Sequence, residues 1–184
     1  MKKNLIIILM CLNFNIFFGQ NNESNIFHKS IEGVYFSDFI SKPFEDYKKP
    51  KINFAGNTFA LQYKSKILEE YKTSKVNFGG HYIIIYWNAG MGTSKGVMVD
   101  SLTGNVFNIP VNEDTTSMGC FSDESINKFN LEYGEEKIFF SQSSNLLVAR
   151  DCDEFDNKTI RFHFFEWNDK TKKFKKIKTI SKPI

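Results

Sequence analysis

The sequence predicts an α+β domain, a single antiparallel meander sheet of about six strands with one amphipathic helix packed on it. Three observations carry that expectation. Residues 58–73 place apolar side chains at helical spacing, the period then changes to two, and the later strands follow one another as hairpins without intervening helices.

The first twenty residues have the layout of a secretory signal. Lys2 and Lys3 precede an apolar run from Leu5 to Met10 that resumes at Ile16, Phe17 and Phe18, and Gly19 leads into the polar Gln20-Asn21-Asn22-Glu23-Ser24. Asn13 and Asn15 interrupt the apolar stretch, which argues against a retained transmembrane anchor. Cys11 follows Met10, where a lipoprotein signal has a small residue, which argues against lipidation. The expectation is therefore an exported protein, periplasmic or extracellular, with a signal peptide at 1–20 and one α+β domain at 21–184. That domain holds 22 basic and 21 acidic residues, a balance that gives no reason to expect nucleic acid as a partner.

Residues 33–39 suggest a short strand, followed by an irregular stretch with Pro43 and Pro50. Phe59, Ala60, Tyr63, Ile67, Leu68 and Tyr71 then form one helical face over Thr58–Thr73, with Asn57 or Thr58 as its cap. His81–Asn88 reads as a strand, and Gly96–Ser101 pairs with Asn105–Ile109 across Leu102-Thr103-Gly104. A polar loop spans 110–130, with a helical turn expected near Ser122–Lys128. Lys137–Ser141 with Leu146–Arg150, and Thr159–Trp167 with Lys172–Ile180, complete two further hairpins.

Cys120 and Cys152 are the two cysteines left beyond the signal, and in an oxidising compartment the expectation is that they pair. An unstrained bridge contributes roughly 3–4 kcal/mol on the chain-entropy view. Two separate buried thiols are the alternative.

The most distinctive run is Asn77-Phe78-Gly79-Gly80-His81-Tyr82, which opens a strand leading to Trp87 and the glycine-rich Asn88-Ala89-Gly90-Met91-Gly92. On an extended strand His81, Ile83, Ile85 and Trp87 share one face. One reading makes His81 a core-edge residue bonded to backbone. The other gathers His81, Tyr82, Trp87 and Asp100 around a binding pocket closed by the turn from Gly90 to Ser94, which carries Met91. This run, continuing to Asp100-Ser101-Leu102-Thr103-Gly104, resembles a family of small exported bacterial proteins with an Asn-Phe-(Ala/Gly)-Gly-His-Tyr motif and no assigned activity. The resemblance covers roughly residues 55–110. Members of that family carry cysteines in the turn after the Trp, and Asn88–Lys95 has none.

Chemistry is thinly marked. Ser94, His81 and Asp100 supply the side chains of a hydrolase, but neither a Gly-x-Ser-x-Gly elbow nor a Ser-x-x-Lys motif accompanies them. The three histidines, His28, His81 and His163, are isolated, so no metal site and no cofactor is expected. Asp151, Asp153, Glu154 and Asp156 form an acidic loop without the Gly and distal Glu of a calcium-binding EF-hand. The C-terminal lysines suit either an anionic surface or protection of an edge strand. The functional expectation is a non-enzymatic binding or accessory protein of the cell envelope, inhibitor- or immunity-like, with a protein or glycan partner. The competing expectation is a small envelope hydrolase using His81 with Ser94 or Asp100.

Overall fold

The computed structural model describes residues 28–44, 48–90, 92–117, 136–152 and 159–183. Elements are labelled in chain order: β1 (Ser30–Ile31), β2 (Val34–Tyr35), α1 (Thr58–Gln62), α2 (Lys64–Thr73), β3 (Tyr82–Gly90), β4 (Thr93–Asp100), β5 (Val106–Asn108), α3 (Glu113–Thr116), β6 (Ile138–Phe140), β7 (Leu146–Cys152), β8 (Thr159–Asn168) and β9 (Lys173–Pro183).

The fold is α+β, with strands predominating. In place of the single meander sheet of the sequence reading, the described residues form three antiparallel sheets, ordered β1-β2, β3-β4-β5 and β6-β7-β8-β9. The physical reason lies in β3 and β7. Tyr82 to Ile85 are buried in succession, and all seven residues of β7 are buried. Strands apolar on both faces must be covered on both faces, and one short helical segment cannot do this for six strands. The two larger sheets therefore cover each other.

Three apolar seams result. Ile83, Ile85, Trp87, Val97 and Val99 pack on Ala60, Ile67 and Tyr71 of the helices. The opposite face of β3 and β4, with Tyr82, Ile84 and Met98, meets Leu147, Ala149, Phe165 and Trp167 of the four-stranded sheet. The outer face of that second sheet, with Val148, Phe162 and Phe164, is covered by Ile31, Val34 and Phe36 of the N-terminal hairpin and the 3-10 turn that follows it.

The expected single helix is two. Asn57 caps α1, its side-chain oxygen accepting from the Ala60 amide at 2.9 Å, and the helical path breaks at Tyr63 (φ −108°, ψ 18°) before α2 begins. The strand expected at 33–39 shortens to β2, and Phe36–Phe39 turn as a 3-10 helix. The hairpins β4-β5, β6-β7 and β8-β9 pair as the sequence implies. The turn expected at Ser122–Lys128 lies outside the described residues.

Candidate functional site

The Asn77–Tyr82 run builds a junction between the two large sheets. Asn77 clamps the start of β3, its side-chain oxygen accepting from the Ile84 amide at 2.8 Å and its amide group donating to the Ile84 carbonyl at 3.0 Å. Phe78 and Tyr82 bridge each other across a tight turn, the Tyr82 amide donating to the Phe78 carbonyl at 2.9 Å. Gly79 and Gly80 form that turn at φ +53° and +83°, a region that L-residues with a Cβ seldom adopt. Their amides donate to the carbonyls of Ser144 (3.1 Å) and Gln142 (2.7 Å), on the β6-β7 loop. The Gly80 carbonyl in turn accepts from the Phe44 amide at 2.8 Å. Three chain segments meet by hydrogen bonds at this turn, and the positive φ at both positions favours glycine.

Tyr82 is fully buried, its ring edge-on to Trp167 at 5.3 Å and to Phe107 at 6.3 Å. Its hydroxyl donates to Asp169 and accepts from the Lys172 ammonium at 2.7 Å, and Lys172 pairs with Asp169 at 2.9 Å. Burial, followed by the bond to Asp169, pushes the Tyr82 hydroxyl up to about 12. The bonds to Tyr82 and Asp169 outweigh burial and raise the Lys172 ammonium. The hydroxyl therefore stays protonated and the amine charged near neutrality, so the group is a fixed set of hydrogen-bonding and charged atoms.

His81 stacks beside Tyr82, ring centroids 4.1 Å apart, with its side chain one-fifth exposed. Its Nε2 approaches Asp100 Oδ1 at 3.8 Å, too long for a hydrogen bond. Burial lowers its affinity for a proton, partly offset by Asp100 and Asp169. A neutral imidazole is the result at pH 7. Asp100 itself is committed to the β4-β5 turn, where its Oδ1 accepts from the amides of Leu102 (2.9 Å) and Thr103 (3.3 Å).

The structure thus brings together His81, Tyr82 and Asp100, and adds Asp169 and Lys172. Trp87 is elsewhere: it packs against Tyr63 (5.0 Å) and Phe59 (6.3 Å) in the helix-to-sheet seam, at the other end of β3. Met91 lies outside the described residues. Ser94 is also remote from His81, since it pairs with Asn88 whereas Asp100 pairs with Tyr82, a separation of six residues or about 20 Å along the strand. Its backbone is held by the Thr116 hydroxyl, at 2.9 Å from the Ser94 amide.

Asp169 and Lys172 carry no signal in the sequence beyond a polar turn. Only the stacking of the two sheets brings that turn to Tyr82. A second polar cluster, on β7 to β9, also escaped the sequence reading. Asp151, 1% exposed, accepts two bonds from Arg161 (2.9 and 3.1 Å) and lies 3.0 Å from His163 Nε2, while Nδ1 of the same ring lies 3.1 Å from the Thr179 hydroxyl. The Asp151 carboxylate is thus engaged by protein groups, and Asp153, Glu154 and Asp156 lie outside the described residues. Among the described residues, no group of three His, Cys, Asp or Glu side chains is arranged to hold a metal ion.

Cys152 is buried at the end of β7; Cys120 lies outside the described residues. No helix among the described residues is long and apolar enough to cross a membrane. Comparison with protein-family models, curated proteins and solved structures finds no match to the chain.

Proposed function

We propose that the chain is an exported, non-enzymatic binding or accessory protein of the cell envelope, inhibitor- or immunity-like in type, whose recognition surface is centred on His81. The observation that carries this reading is the division of labour within the Asn77–Tyr82 run. Asn77, Phe78, Gly79, Gly80 and Tyr82 are consumed by architecture, whereas the His81 imidazole is one-fifth exposed and stands 3.8 Å from Asp100, beyond hydrogen-bond distance.

The surroundings suit recognition better than catalysis. A lowered proton affinity readies a nucleophile, and the Tyr82 hydroxyl and the Lys172 ammonium are both shifted upward, the Asp169 carboxylate beside them serving to hold the phenol proton and the ammonium charge. Asp100 serves a turn, and Ser94 is at the far end of β4. Phe44, 47% exposed and tied to Gly80 through its amide, places an aromatic ring on the adjoining chain segment. A neutral imidazole, a fixed ion pair and an exposed aromatic on the segment bonded to Gly80 are the kinds of group that protein and glycan partners use.

The test is capture from envelope extract on the immobilised protein, with His81→Ala/Lys172→Ala as the comparison after its fold has been checked by circular dichroism. A protein retained by the wild type, identified, purified and shown to bind the variant at least tenfold more weakly supports the reading, as does a glycan with the same behaviour on an array. Retention that is identical for both chains, or no retention of either class, removes it.

A further inference from the structure

Among the described residues, β9 is the terminal member of the four-stranded sheet, with β8 as its one strand neighbour. Residues 169–183 carry seven lysines against one acid, whereas the rest of 21–184 holds 15 basic against 20 acidic residues. The near-neutral chain is therefore polarised, with its positive charge concentrated on one hairpin arm.

The register distributes that charge. Lys173, Lys175 and Lys178 lie opposite Asn168, Glu166 and Phe164, on one face, and Lys176 lies opposite Phe165 on the other. All four are exposed. Among the described residues, acidic neighbours take only part of the charge: Asp169 pairs with Lys172, Glu32 with Lys182 at 3.1 Å, and Glu166 sits across from Lys175. Between Lys176 and Lys178 the ladder shifts register at a bulge, and Ile177, 38% exposed, stands there as an apolar side chain within the lysine run.

Lysines that emerge on both faces of one strand meet a common partner only if that partner approaches the edge. The bulge and the lysines disfavour addition of another strand there. A broad, deformable anionic surface remains, since flexible lysine stems can bend toward it from either face while an apolar side chain reaches the boundary below the headgroups. We propose that the β9 edge docks on anionic phospholipid headgroups, with Lys173, Lys175, Lys176 and Lys178 supplying the attraction and Ile177 the apolar contact. This surface is distinct from the His81 cluster, and the inference does not depend on the binding partner proposed for that cluster.

The experiment is co-sedimentation of the purified protein with vesicles of phosphatidylglycerol and phosphatidylcholine, against vesicles of phosphatidylcholine alone. Binding is expected to the anionic vesicles only, and to fall steeply as salt shortens the screening length to about 3 Å near 1 M. Each lysine near such a surface contributes roughly fivefold in affinity. Replacing Lys173, Lys175, Lys176 and Lys178 together by Gln should therefore weaken binding by more than roughly tenfold, and Ile177→Ser should weaken it severalfold. Replacing Lys64, Lys66 and Lys72 on α2 by Gln should leave binding unchanged. Circular dichroism confirms that each variant is folded. Equal binding to both vesicle types, no binding, or undiminished binding of the folded four-lysine variant overturns the proposal. Binding of polyglutamate or heparin without binding of vesicles overturns it as well, in favour of an anionic polymer.

Discussion

Gly80 lies against the backbone of Lys42 so closely that a Cβ built on the glycine would stand 2.5 Å from the Lys42 carbonyl oxygen. The contact joins the N-terminal segment to the turn that opens β3. It also explains why the second glycine of the Asn77–Tyr82 run has no substitute. Gly80→Ala combines a backbone angle of +83° with a clash against main chain, and should cost about 2–4 kcal/mol. Gly33, at φ +72° with nothing within 4 Å of a built Cβ, offers the comparison: Gly33→Ala should cost only about 1 kcal/mol. Urea unfolding of both variants measures the difference, and equal losses would contradict the packing argument.

Trp87 and His81 should separate cleanly in the same experiment. Trp87→Ala empties a site lined by Phe59 and Tyr63, and a loss of about 3–5 kcal/mol is expected. His81→Ala removes a partly exposed ring and should change stability by about 1 kcal/mol or less. A large loss for His81→Ala would return that residue to a structural role.

The Tyr82 hydroxyl gives the fold an alkaline limit. Its affinity for a proton is raised in the folded state from 10.0 to about 12, so the folded protein prefers the neutral phenol. The associated stability is present below pH 10 and is lost as pH rises through 12, by at most about 3 kcal/mol for a shift of that size and less where solvent screens the group. Unfolding measured between pH 9 and 12 should show a steeper decline for the wild type than for Tyr82→Phe. Ultraviolet titration should show one late-ionising phenol fewer in the variant.

Asp151 should be more costly to remove than any exposed acid. Asp151→Ala withdraws the partner of Arg161 and of the buried His163 ring, with an expected loss of about 3 kcal/mol. Asp151→Asn, which keeps one acceptor oxygen, should lose less. Denaturant midpoints for the two variants decide this.

The pair proposed for Cys120 and Cys152 has a direct readout. Intact mass should rise by about 2 Da on reduction of protein recovered from an oxidising compartment, and stability should fall by roughly 3–4 kcal/mol if the bridge is unstrained. An unchanged mass would identify two separate thiols.

Helical spacing in 58–73, the change to period two and the polar turns between the hairpins were all readable in the sequence, because each is a local pattern. So was the prominence of Asn77–Tyr82, although its purpose was not. Alternation along a strand groups Trp87 with His81 but does not say what covers each end of that face. His81 and Trp87 can share a face in the extended chain and still lie at opposite ends of β3 with different neighbours.

Most element types, the hairpin pairing and the concentration of lysine near the C-terminus were determined by the sequence itself, through periodicity, turn chemistry and charge. The number of sheets and the make-up of the His81 cluster were decided only by tertiary structure. The runs Ile83-Ile84-Ile85 and Leu146-Leu147-Val148-Ala149 did signal strands apolar on both faces. Which layer covers which face, however, is set by long-range burial. That stacking brings Asp169 and Lys172 to Tyr82 across about ninety residues of chain, a relation between parts of the molecule that no local pattern encodes.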